Sequence, residues 1–431
     1  MDTTSEMLSM HPKRYNPKFK NPCWYEDLTV PAVYAHNKFS GYFHSVKTMF
    51  RELTNIWQKT IEEDSNPKRL RCLPYFFIAG QPKCGSTDLY QKISSHPDVS
   101  MPPNKEYHWW ARRRFGSKSN NSSSLSFDDY TDLFDKVALY IEHVHDSTRA
   151  GDQEDYHPLI TGDASASTLW DNDEWWSLKE NCGATEPRFT NADYIHHFLP
   201  HAKIIVILRD PVDRLWSDYL YFLKSMKSAE DFHKNVAMSI DSFETCLLEN
   251  TFASCINNKT IANLARVRLR IGIYYSYIET WLNIYPRDQF FILRLEDYAS
   301  NIRNVMKRVF KFLGLRDLTR EEADYILGQP VANTRKKGDR KFGKMKEETR
   351  KLLGDFYEPY NKKLSALLND NRFMWKDKSD ERQKYATESS VFDELGDYRE
   401  KRSGRSLKGS SHSKLLKSLR QRIKNCEDKN T

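Results

Sequence analysis

Apolar residues recur along this chain in two alternating rhythms from residue 74 onward. Short unbroken runs, such as Tyr75-Phe76-Phe77-Ile78-Ala79 and Ile204-Ile205-Val206-Ile207-Leu208, read as strands covered on both faces, where no polar alternation is needed. Between them, apolar residues return every three or four positions, as on the buried stripe of a helix. The pattern predicts strands over 74–80, 159–163, 203–208 and 289–294. It predicts helices over 86–95, 127–143, 190–199, 211–226, 267–284, 297–313 and 345–368. Strands alternating with helices imply an α/β fold with a central parallel sheet flanked by helices. Residues 1–70 are polar and Pro-containing, and are read as an irregular N-terminal extension to a domain spanning 71–376. Residues 227–266 interrupt the alternation and read as an insertion. The stretch 377–431 is basic and poor in apolar residues, which predicts a disordered tail.

The first predicted strand ends at Gly80 and passes through Gln81-Pro82-Lys83-Cys84-Gly85 into a helix start at Ser86-Thr87-Asp88. A strand, a tight loop and a helix N-terminus point backbone N–H groups and the positive end of a helix dipole at one spot, which suits an anion. Gly80 and Gly85 have the spacing of the nucleotide-triphosphate loop G-x-x-x-x-G-K-[ST], but Ser86 stands where that pattern has lysine. The loop's own cation, Lys83, sits at its mouth instead. A second candidate follows the strand 203–208, where Arg209-Asp210-Pro211 leads to Ser217. Asp210 and Pro211 suit the cap and first position of a helix, and Arg209 falls at the carboxyl end of a strand.

Together these motifs resemble the 5′-phosphosulfate loop and the 3′-phosphate site of sulfotransferases that use 3′-phosphoadenosine 5′-phosphosulfate (PAPS). The likeness runs over about residues 72–375 and is greatest to the glycosaminoglycan sulfotransferases, particularly those that add a 6-O-sulfate to 4-sulfated N-acetylgalactosamine in chondroitin or dermatan sulfate. The stretches PYFFIAGQPKCGSTDLY, GDASAST and RKKGDRKFGK carry that likeness. It implies a P-loop-like sulfotransferase fold, PAPS as donor, no metal requirement and a glycosaminoglycan acceptor. It assigns Lys83, Cys84, Gly85, Ser86, Thr87, Asp88, Arg209 and Ser217 to the donor nucleotide. A late basic loop adds Lys337, Gly338 and Arg340, with Asp339 inserted relative to the family's K-G-R.

The segment Lys105-Glu106-Tyr107-His108-Trp109-Trp110 resembles the family's K-E-x-H-[FW]-[FW] stretch. The resemblance makes Glu106 the base for the acceptor hydroxyl, with His108 beside it in the catalytic set. It places Lys105, Trp109, Asp163 and Ser165 against the acceptor. Relatives often carry a lysine near Asp163, so this chain departs there, and Asp163 is a reserve candidate for the base. Tyr274 is a further candidate neighbour of the nucleotide, and Trp170, Trp175 and Trp176 are candidate sugar platforms.

The net charge of +8 suggests a polyanionic partner; no nucleic-acid signature accompanies it, and the sulfated glycan that the resemblance implies would satisfy the same electrostatics. Seven cysteines are too few for a disulfide scaffold, although Cys246 and Cys255 are spaced to close a short loop. Asn120, Asn121 and Asn258 each begin an N-x-[ST] sequon. No stretch reaches the ~18 apolar residues of a membrane span. The family resemblance implies the Golgi lumen and an N-terminal anchor, so the lack of one here is read as truncation. Two other readings stay open: a kinase with an aberrant phosphate loop, and a glycan-binding module without catalysis.

Overall fold

The computed structural model describes residues 7–30, 33–116, 123–144, 156–224, 227–262, 264, 266–332 and 337–376. Four parallel strands form the central sheet in the order β4-β3-β5-β6, with β3 Phe76–Gly80, β4 Gly162–Asp163, β5 Lys203–Leu208 and β6 Phe290–Arg294. Every residue of β3 is buried, as is β5 beyond Lys203, which is why both read as unbroken apolar runs. The chain leaves β3 toward β4 on one side and later returns to β5 on the other. The carboxyl ends of β3 and β5 therefore flank the switch point where open α/β sheets bind ligands.

Two apolar clusters cover the sheet. Phe77, Ala79, Ile204 and Val206 face one, while Phe76, Ile78, Ile205 and Ile207 face the other. Helices over Ser86–Ser94, Pro211–Phe222, Tyr274–Leu282, Ile302–Phe312 and Glu347–Leu368 flank it, close to their predicted places. The Pro211–Phe222 helix starts as its sequence requires: Val212 N–H donates to the Asp210 carboxylate at 2.8 Å, and Pro211 holds the first turn. The predicted insertion is helical, over Ala229–Leu247, Phe252–Ile256 and Lys259–Ala262, and Cys246–Cys255 bridges the first two of these helices.

Residues 1–70 depart from the expectation of irregularity. They carry the strand β1 Cys23–Asp27 and a 20-residue helix, His44–Glu63. β1 pairs antiparallel with β2 Lys68–Cys72, and the Cys23–Cys72 disulfide locks the pair at its end. Arg69 and Arg71 of β2 meet Asp132 and Asp135, with Arg71 Nη1 at 2.5 Å and 3.0 Å from the two carboxylates. The helix stripe Val46, Met49, Phe50, Leu53 and Trp57 is buried in the main core. The stripe recurs at the three- and four-residue spacing of a helix, a signal that reading residues 1–70 as irregular passed over, and it packs on distant residues. The expected tail, 377–431, lies outside the described residues, as do Asn120 and Asn121.

Candidate active site

A cavity of about 2010 Å³ opens at the carboxyl ends of β3 and β5. It is roughly twice the ~300–1,000 Å³ of a site for one drug-sized ligand, so it has room for two. Lys83, Gly85, Ser86 and Thr87 line it from the loop after β3, and Arg209 and Ser217 line it from the loop and helix after β5. Glu106 and His108 line it as well. The two phosphate motifs and the carboxylate thus share one space.

The loop after β3 needs its glycine. Gly85 has φ +91°, and a Cβ there would come within 2.8 Å of Leu295 Cδ1. The Ser86–Ser94 helix then points its first N–H groups into the cavity. Lys83 holds its ammonium 3.5 Å from the centroid of the Tyr221 ring. Burial pulls its pKa below the ordinary lysine value; Asp218 opposes that pull, while Arg209 and Arg268 add to it. A cation held among cations in a partly desolvated space gains most from an anionic ligand.

Glu106 is fixed on both oxygens. Oε2 accepts the Ala166 N–H at 2.9 Å, and Oε1 pairs with Lys105, whose ammonium also reaches Ser86 Oγ at 3.3 Å. One lysine therefore ties the carboxylate to the phosphate loop. His108 Nε2 lies 3.5 Å from Glu106 Oε2, and Nδ1 lies 2.7 Å from Ser167 Oγ. Burial pushes the His108 pKa down to about 4, outweighing the upward pull of Glu106, so the ring is neutral near pH 7. A proton on Nε2 then faces the carboxylate, with Nδ1 accepting from Ser167; partner chemistry, not observed hydrogens, dictates that tautomer. Lys83, Glu106 and His108 have φ of 67°, 70° and 53°, left-handed backbone that non-glycine residues rarely adopt. Such strain clusters at functional sites.

A profile of the sulfotransferase domain matches residues 73–358. The chain belongs to the sulfotransferase family. It is 41% identical over 377 residues to carbohydrate sulfotransferase 15 of Homo sapiens, a span of 86% of this chain and 67% of that protein. It is 26% identical over 371 residues to the bifunctional heparan sulfate N-deacetylase/N-sulfotransferase of Drosophila melanogaster, spanning 83% of this chain and 29% of that protein. A solved sulfotransferase from Alicyclobacillus acidocaldarius aligns with a TM-score of 0.45 at 22% identity, over 72% of this chain and 99% of that one.

Several residues expected at this sulfotransferase's site have other places. Trp109 is fully buried, stacked on Tyr130 with its Nε1 donating to Leu125 O, so it packs the core and cannot meet a sugar. Asp163 is buried as well and accepts the Tyr130 hydroxyl at 2.9 Å; burial raises its pKa, and neither a base nor an acceptor contact fits that position. Ser165 is buried with its hydroxyl accepting the His108 N–H at 3.0 Å, which shapes the segment rather than the acceptor. The Cys84 side chain turns into the core, and burial lifts its thiol to about 12. Asp88 lines the cavity but is spent on Lys92, Tyr298 and the Ala332 N–H, and a carboxylate would repel phosphate. Tyr274 lies beneath the cavity floor and donates to Arg209 O at 2.9 Å. Asn258 is 9% exposed, and its Oδ1 accepts the Thr260 N–H, so the folded chain withholds that sequon.

Lys337, Gly338 and Arg340 fall in a 3-10 turn over Lys337–Phe342, and their side chains lie outside the described residues. Asp339 pairs with Lys227 at 2.9 Å, and both are largely buried, so the inserted acid pins this turn to the start of the insertion. Sequence reasoning missed Asp218, which pairs with Arg214 and Arg268 behind Lys83, and missed Arg112 and Arg268 on the cavity wall. The Arg214–Asp218 spacing of four was the only local sign of the first.

Proposed function

We propose that this sulfotransferase moves the sulfuryl group of PAPS to a hydroxyl of a glycosaminoglycan, the 6-hydroxyl of 4-sulfated N-acetylgalactosamine in chondroitin or dermatan sulfate. The observation that carries the reading is one cavity lined by the cations Lys83 and Arg209, from two different strand ends, and by the restrained carboxylate of Glu106. The donor set suits a nucleotide with two phosphate groups. One site has an ammonium, two hydroxyls and a helix N-terminus; the other has a guanidinium and a hydroxyl, a planar fork suited to phosphate oxygens. Trp216 also lines the cavity, and its buried indole N–H has no protein partner.

Bound PAPS supplies the activated sulfuryl group and a phosphate leaving group. Lys83 and the Ser86–Ser94 helix start hold negative charge at the 5′ end, and Arg209 with Ser217 holds it at the 3′ end. Glu106 takes the proton of the attacking hydroxyl, held in place by Lys105 on one oxygen and the Ala166 N–H on the other. Neutral His108 steadies that carboxylate without a competing charge. The order of steps resembles phosphoryl transfer, in which positioning and charge neutralisation do most of the catalysis. Likeness to carbohydrate sulfotransferase 15 supports a sugar acceptor, and the disulfides Cys23–Cys72 and Cys246–Cys255 suit the oxidising route to the Golgi lumen.

The test is transfer of labelled sulfate from PAPS to a panel of glycans of defined sulfation, with the product position read by disaccharide analysis. Incorporation at O6 of 4-sulfated N-acetylgalactosamine is expected. Incorporation elsewhere overturns the acceptor assignment, and none on any glycan overturns the function.

A further inference from the structure

Two arginines outside the nucleotide motifs stand on the wall between the large cavity and a smaller one of about 140 Å³. Arg112 and Arg268 line both cavities, and so does Trp170. Their guanidinium carbons lie 5.6 Å and 5.9 Å from the centroid of the Trp170 ring. Trp170 itself is only 4% exposed and donates its Nε1–H to Ala166 O, so it acts as a fixed floor and not as a sugar platform.

Each arginine is held from behind by a buried carboxylate. Arg112 Nε pairs with Asp171, and Arg268 Nε donates to Asp218 at 2.8 Å. The two carboxylates are 3% exposed, while the side chains of Arg112 and Arg268 remain 45% and 30% exposed. A guanidinium carries five N–H donors, so pairing through one edge leaves others for a ligand. Arg112 lies close enough to His108, and Arg268 to Lys83, to influence their protonation. Arg112, Arg268, His108 and Lys83 all line the same cavity.

We propose that Arg112 and Arg268, seated on Trp170, form a subsite for anionic substituents of the acceptor chain, a sulfate ester or a uronate carboxylate flanking the reacting sugar. The inference rests on the glycosaminoglycan reading above and deepens it. A planar fork held by a buried acid recognises a tetrahedral or planar oxyanion with little entropy to lose, which a free surface lysine does not offer. The subsite makes acceptor charge a condition of binding.

Kinetics with three matched chondroitin hexasaccharides separate the two sources of charge: unsulfated, 4-sulfated, and 4-sulfated with its carboxyl groups reduced. The wild-type protein is expected to prefer one charged form over its neutralised counterpart by roughly tenfold in kcat/KM, the effect of one charged hydrogen bond. Arg112→Gln or Arg268→Gln should shrink that preference to about twofold through KM, with affinity for adenosine 3′,5′-bisphosphate unchanged in Arg112→Gln, whose guanidinium does not act on Lys83. Arg112→Gln leaves Asp171 buried without its partner, so Arg112→Gln/Asp171→Asn supplies a neutral pair of the same shape; Arg214 remains beside Asp218 in Arg268→Gln. Equal slowing of all three acceptors, or a preference that survives both changes, overturns the subsite. Should the wild-type protein sulfate none of them, the functional reading fails on its own, and calorimetry with the same hexasaccharides still decides. Binding that discriminates by charge and loses this in the variants upholds the subsite, and equal binding of all three overturns it.

Discussion

In the phosphate loop after β3, Lys83, Gly85, Ser86 and Thr87 lie within a few residues of chain, set by one strand, one loop and one helix start. By contrast, Glu106 is held by the Ala166 N–H sixty residues away, and the segment around it is braced by residues from the N-terminal 70. Tyr107 sits edge-on to Phe39 and Phe43, at 5.6 Å and 5.4 Å between ring centroids. Arg113 lies 3.9 Å from the Tyr42 ring centroid, and Ser45 hydrogen-bonds Asn104. That phosphate loop is a local motif, whereas the surroundings of Glu106 are assembled from three distant parts of the chain. Anion binding by backbone N–H groups needs only local geometry. A proton acceptor must be aimed to within a hydrogen bond's reach of another molecule, and that requires a shell of contacts.

The comparison breaks most visibly at Glu106. Glu106→Gln keeps the shape but removes the proton acceptor, so kcat should fall by about 10²–10⁴ while adenosine 3′,5′-bisphosphate binding, read by calorimetry, stays the same. Loss of nucleotide affinity would mean the two regions are not separable.

His108 sharpens the same region through pH. Its folded pKa of about 4 lies below the ordinary histidine value, so between these the unfolded chain binds a proton that the folded chain refuses. Stability is lost as pH falls through that window, by about 3 kcal/mol at full protonation of the unfolded chain. His108→Gln should lack this component. Denaturant unfolding of both proteins at pH 7 and pH 4 measures the difference directly, since shared carboxylate effects cancel.

Arg209→Ala should act oppositely to Glu106→Gln, weakening nucleotide binding by ~1.5–3 kcal/mol with acceptor KM nearly unchanged. The smallest effect belongs to the brace. Phe43→Ala removes the ring pairs with Tyr107 and Phe39, each worth about 0.5–1.5 kcal/mol, and kcat should fall several-fold with nucleotide affinity intact. A Phe43→Ala protein with full kcat would show that the N-terminal residues only cover the segment and do not aim it.

The β3 and β5 strands, the loop Lys83–Thr87 and the capped helix after Asp210 were legible in the sequence, because a buried strand, a tight turn and a helix cap each write their cause within a few residues. Trp109 and Asp163 were misplaced by the same kind of reading. A motif gives their position along the chain, but the direction of each side chain depends on Tyr130, which comes from another segment. The Cys23–Cys72 bridge and the packing partners of the helix over His44–Glu63 were likewise invisible, since they lie far off in sequence, although the apolar stripe of that helix is local. The sequence by itself determined an α/β chain with two candidate anion sites at strand ends. Only the tertiary structure decided which acids are buried and which line the cavity, which cations stand on its wall and what holds Glu106 in place, because burial and charge pairing are properties of neighbours in space.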